Sequence, residues 1–127
     1  MVIKKVLIII DGDETVLKLA AAIAQVMPQG AARIVNADDF QGQDILQPDF
    51  IFLGCADTAP FKYVENVFKH INLVDRHCAV FSPSSNEAVK WLIGMAADSE
   101  IKLADNGLVC GDAEKIKLWV QDIIKKL

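Results

Sequence analysis

A chain of 127 residues, 53% of them hydrophobic and 24% charged, has the size and composition of one globular domain and excludes a disordered or fibrous chain. A formal charge of −4, with only Lys4-Lys5 and Lys125-Lys126 as basic pairs, argues against a nucleic-acid partner, whose phosphates are held by clustered Lys and Arg. No apolar run approaches bilayer length and no signal-peptide pattern is present, so the chain reads as cytoplasmic, with no membrane partner.

Lys4-Lys5 leads into Val6-Leu7-Ile8-Ile9-Ile10, an unbroken apolar run of the kind found in strands covered on both faces. Asp11-Gly12-Asp13 stops it. Val16, Leu19, Ala20, Ile23 and Met27 then recur at helical spacing, and Pro28 and Gly30 close that helix. Ala32 to Val35 is a second strand, followed by a polar stretch from Asn36 to Gln47 that holds no long helix. Phe50-Ile51-Phe52-Leu53 is a third strand ending at Gly54. The loop from Cys55 to Pro60 precedes a helix that presents Val64, Val67, Phe68 and Ile71 on one face.

Cys78 to Phe81 is the fourth strand. Ser82-Pro83-Ser84-Ser85 turns into a helix over about Asn86 to Ala97, for which Ser84 and Glu87 have capping-box spacing. A fifth extended stretch runs from about Ile101 to Val109, interrupted by Asp105-Asn106-Gly107. Asp112 is the expected N-cap of a last helix through Ile116, Val120, Ile123 and Leu127.

Strands alternating with helices predict right-handed crossovers and a three-layer α/β/α sandwich around a five-stranded parallel sheet of order 2-1-3-4-5. Ligands of such sheets bind outside the carboxyl ends of the strands, where the strand order reverses. The loops to examine are therefore Asp11 to Thr15, Gly54 to Lys62, Ser82 to Asn86 and Cys110 to Asp112.

The segments Pro48-Asp49-Phe50-Ile51-Phe52-Leu53-Gly54, Ala79-Val80-Phe81-Ser82 with Glu87-Ala88-Val89-Lys90-Trp91-Leu92, and Gly107-Leu108-Val109-Cys110-Gly111 resemble the framework of the flavodoxin family. The resemblance spans nearly the whole chain, so residues 1–127 are expected to form one flavodoxin-like domain. It implies an electron-transfer protein with noncovalent FMN. In the family, a Ser/Thr-rich loop after the first strand holds the phosphate, and two later loops, often aromatic, flank the isoalloxazine. Carried onto this chain, the cofactor residues are Asp11, Gly12, Asp13, Glu14 and Thr15; then Gly54, Cys55, Ala56, Asp57, Thr58 and Phe61; then Ser82, Pro83, Ser84 and Ser85.

The first loop departs from the family pattern: Asp11-Gly12-Asp13-Glu14-Thr15-Val16 stands where S/T-x-T-G-x-T belongs, and only Thr15 retains a hydroxyl. Helix N-termini attract phosphate through free N–H groups and the helix dipole, whereas these carboxylates repel it. The expected FMN site is weak, altered or lost. The second loop offers Phe61 or Tyr63 as an aromatic platform, or else as packing beneath the following helix; the third offers no aromatic. The chain then reads as an electron carrier or binding protein with a redox or regulatory protein partner, the alternative being a non-catalytic interaction module on the same scaffold.

The acidic turn is also similar to that of response-regulator receiver domains, which need an Asp, a Ser or Thr, and a Lys at the ends of strands three, four and five. Here those places fall on Gly54, Ser82 and about Cys110. What survives of that reading is a degenerate receiver with an acidic cation pocket of Asp11, Asp13 and Asp57, set against simple helix capping by Asp13. Cys55, Cys78 and Cys110 are too widely spaced for a disulfide framework or a zinc site and are expected to be reduced. Cys55 and Cys110 lie on the ligand side, as reactive thiols or as packing. His70 and His77 lie away from that edge, and Ser82 has neither a His nor a GxSxG context. No catalytic residue and no metal site is assigned.

Overall fold

The computed structural model describes residues 4–127. Its elements in chain order are β1 (Val6–Ile10), α1 (Glu14–Gln25), β2 (Ala32–Asn36), β3 (Phe50–Gly54), α2 (Lys62–Lys69), β4 (His77–Ser82), α3 (Asn86–Ala97), β5 (Lys102–Leu103), β6 (Leu108–Val109) and α4 (Ala113–Lys126). Single 3₁₀ turns at Gly42–Ile45 and Ala59–Phe61 are the only helical structure in two of the loops. The sheet is parallel in the order β2-β1-β3-β4-β5, with β6 pairing farther along β4. The expected order 2-1-3-4-5 is therefore the observed one, with the fifth strand in two short pieces.

Alternation along the strands divides the core into two layers. Leu7, Ile9, Ile51, Leu53 and Val80 face α2 and α3, meeting Val64, Phe68, Leu92 and Met95. Val6, Ile8, Ile10, Phe52, Ala79 and Phe81 face α1 and α4, meeting Val16, Leu19, Ile23, Ile116 and Val120. Each large buried side chain stabilises the fold by roughly 1.5–3 kcal/mol, so the central strands hold their carboxyl ends in a fixed frame.

The fifth strand divides because the chain must turn at Asp105-Asn106-Gly107. Gly107 takes φ +96°, and Asp105 Oδ2 accepts both the Gly107 N–H at 3.1 Å and the Trp119 indole N–H at 2.7 Å. Trp119 lays its ring edge-on to Phe52 and Phe81. His70 ends α2 and His77 opens β4, both away from the carboxyl edge of the sheet. Burial, and then the charge of Lys102, lower the His77 pKa.

The N-caps form with one correction. Asp13 caps α1, accepting from the N–H groups of Thr15 at 3.0 Å and Val16 at 3.1 Å. Asp112 caps α4 through the Glu114 N–H. At α3 the cap is Ser85 and not Ser84: its Oγ accepts from the Ala88 N–H at 3.0 Å. The shift of one residue places Ala88 rather than Glu87 at the third helical position, so no capping box forms there.

Candidate functional site

The carboxyl ends of β1, β3 and β4 deliver three loops to one edge. In the first, Gly12 adopts φ +91°, a left-handed turn that costs an L side chain and suits glycine. The turn brings the Asp13 N–H back onto Asp11 Oδ1 at 3.1 Å. The other Asp11 oxygen reaches across to the loop after β3, where it accepts from the N–H groups of Ala56 at 2.8 Å and Asp57 at 2.9 Å. One carboxylate thus joins two loops that are far apart in sequence.

The consequences for an anion are direct. Five backbone N–H groups at this edge are already bonded to carboxylates, three to Asp11 and two to Asp13. A phosphate brought to this turn also meets the charges of Asp11, Asp13 and Glu14, each pair costing about 1 to 4 kcal/mol at a few ångströms in a surface-like dielectric. The donor set of this loop does not fit the phosphate of FMN.

Asp57 Oδ1 accepts from the Ala59 N–H at 3.0 Å, starting the 3₁₀ turn. Asp11, Asp13 and Asp57 are therefore each turned onto backbone N–H groups. Among the described residues no group of three or more His, Cys, Asp or Glu side chains comes together as metal ligands would.

Several of the residues carried over from the family pattern are interior. Gly54 lies directly beneath the Phe81 ring. Cys55 is buried, and burial, reinforced by the charges of Asp11 and Asp57, pushes its thiol up to about 12. It stays protonated and unreactive near neutral pH. Cys78 is likewise buried with its pKa raised. Cys110 is half-buried, and its sulfur accepts from the Asp112 N–H at 3.4 Å. Phe61 packs wholly inside the α2–α3 layer and presents no ring face to a ligand. Tyr63 is 50% exposed but lies against Phe40, with ring centroids 6.0 Å apart. Ser82 is also buried, its Oγ accepting from the Ser85 N–H at 3.2 Å.

What remains open is a cavity of about 550 Å³ between the second loop and the start of α3. Ala56, Asp57 and Thr58 form one wall. Glu87, Lys90 and Trp91 form the other, with Ser85 at its rim. Four of the residues expected at the site (Ala56, Asp57, Thr58 and Ser85) come together here. Trp91 is the aromatic ring at this cavity, and in the sequence it stands out only within the framework segment Glu87 to Leu92. The overlooked signal is spacing: Glu87, Lys90 and Trp91 stand three and four residues apart on the first turns of a helix whose N-cap already belonged to the site.

No protein-family model and no curated protein sequence matches this chain. Solved structures do. Flavodoxin 2 from Bacillus cereus superposes with a TM-score of 0.85 at 18% identity, over 97% of this chain and 99% of that one. Flavodoxin 1 of the same organism gives 0.79 at 20% identity, over 96% and 97%. The flavodoxin of Streptococcus pneumoniae gives 0.80 at 10% identity, over 97% and 99%. The chain has the flavodoxin-like α/β fold over nearly its whole length.

Proposed function

We propose that this chain is a flavodoxin-scaffold protein of the electron-transfer class whose FMN site is altered at its anchor, so that phosphate contributes nothing to binding. One observation carries the reading: both oxygens of Asp11 are bonded to backbone N–H groups of the first and second loops. A planar ring that reaches this edge is held by the cavity between Ala56–Thr58 and Trp91, where the indole supplies a stacking face and Asp57, Glu87 and Lys90 supply polar contacts.

The same bridge favours a second reading. Because Asp11 ties the two loops together through the protein's own groups, the edge is preorganised as a surface, as an interaction module on this scaffold would require.

Titration of the purified protein with FMN and, separately, riboflavin, followed by tryptophan fluorescence, tests both. The expected result is FMN binding no tighter than riboflavin, in the micromolar range or weaker. FMN binding tenfold or more tighter than riboflavin contradicts the altered anchor. Absence of saturable quenching by either compound removes the electron-transfer reading and leaves the interaction module.

A further inference from the structure

We infer that the cavity between Ala56–Thr58 and α3 is a socket for the guanidinium group of an arginine side chain on a protein partner. Each wall presents one carboxylate, Asp57 on the loop after β3 and Glu87 on the first turn of α3, and the Trp91 indole lines the same space. Trp91 is half-buried against the α2–α3 core layer, which holds the ring in place. Among the described residues it pairs with no other aromatic ring. The side chains of Glu87, Lys90 and Trp91 also have no hydrogen bond or ion pair among the described residues, although Glu87 and Lys90 stand three apart on one helix. The cavity of about 550 Å³ thus collects an aromatic surface and polar groups that the fold itself does not use.

A planar cation matches this set. A guanidinium stacks on an indole, donates to carboxylates through a fork of N–H groups, and is weakly enough hydrated to enter a partly enclosed site. The alkyl stem of arginine is apolar and finds Ala56 and Ala88 in the lining. An anion matches less well, because Asp57 and Glu87 outnumber Lys90 and leave the cavity net negative. The inference rests on the reading of this edge as a binding surface for a partner.

The test titrates the ¹⁵N-labelled protein, without flavin, with acetyl-arginine methylamide at constant ionic strength and follows the Trp91 indole N–H. The Trp119 indole, held by Asp105 against the other core layer, is the internal reference. Saturable shifts at Trp91 with a Kd in the millimolar range are expected, with Trp119 stationary. The citrulline and lysine counterparts are expected to bind at least about threefold more weakly, the first lacking the charge and the second the planar fork. Glu87 and Lys90 are both exposed. Glu87→Gln is therefore expected to weaken arginine binding about two- to fivefold and Lys90→Ala to strengthen it by a similar factor, opposite signs that a merely structural role does not produce.

The inference is overturned by the absence of a saturable Trp91 shift, by an equal response to the citrulline counterpart, or by a response to inorganic phosphate in place of arginine. It is also overturned if Glu87→Gln and Lys90→Ala change the affinity in the same direction. Its failure is separate from that of the reading it rests on: loss of arginine binding removes the socket but not the surface tied by Asp11, and the flavin titration is decided on its own.

Discussion

Replacing Gly54 by alanine is expected to destabilise the protein by about 3 kcal/mol and to lower its melting temperature by about 10 °C. A Cβ at Gly54 would overlap Cζ, Cε1 and Cε2 of Phe81, which means the ring lies flat on the glycine. The ring has little room to retreat. Phe81 is fully buried, its neighbour Trp119 stands edge-on with centroids 6.4 Å apart, and the indole is itself tethered to Asp105. Gly54 also pairs with Ile10 in register, so displacing it disturbs the strand end that carries Asp11. Urea denaturation gives the number. A companion Phe81→Leu change is expected to recover part of the loss in the double variant, as coupled neighbours do. A loss below about 1 kcal/mol for Gly54→Ala would mean that the ring moves freely, contrary to tight core packing.

Arg76→Ala is expected to cost about 2–4 kcal/mol through a different mechanism. One guanidinium nitrogen, Nη1, donates to the carbonyl of Ile45 at 2.7 Å and to that of Pro48 at 3.0 Å; the other, Nη2, donates to Leu46 at 2.7 Å. This single side chain fastens the segment ahead of β3, which has a 3₁₀ turn and no longer helix to secure it. Charge-assisted bonds to carbonyls are among the stronger hydrogen bonds, and removing the donor leaves partly buried acceptors unpaired. Lysine cannot reproduce the planar fork, so Arg76→Lys is expected to recover less than half of the loss by thermal unfolding. Full recovery in Arg76→Lys would reduce the effect to one of charge.

The scaffold is legible in the residues because its signals are local. Val6-Leu7-Ile8-Ile9-Ile10 reads as a doubly covered strand and is one, with successive side chains entering the two core layers. Asp13 and Asp112 read as caps and cap their helices. The one cap misplaced, Ser84 for Ser85, falls where adjacent serines offer the same chemistry and only the chain path chooses between them.

The site is less legible because its determinants are long-range. The negative charge of Asp11 is plain in the sequence, but its partners at Ala56 and Asp57 are 45 and 46 residues away. What reads as a simple cluster of charges is in the structure also a hydrogen-bonded link between two loops. Phe61 and Ser82 read as loop residues, yet Phe61 closes a 3₁₀ turn, Ser82 ends β4, and both are buried. Trp91 shows the converse: it belongs to a helix by its spacing, and only the approach of the Ala56–Thr58 loop makes it the wall of a cavity.

The central claim is that the anion position at this edge belongs to the protein's own carboxylates. It is tested most directly by titrating the ¹⁵N-labelled parent with inorganic phosphate at constant ionic strength and following the backbone amides of Asp13, Thr15, Val16, Ala56 and Asp57. These are the donors held by Asp11 and Asp13, and their resonances are expected to stay in place. Saturable phosphate-dependent shifts centred on those amides would contradict the account.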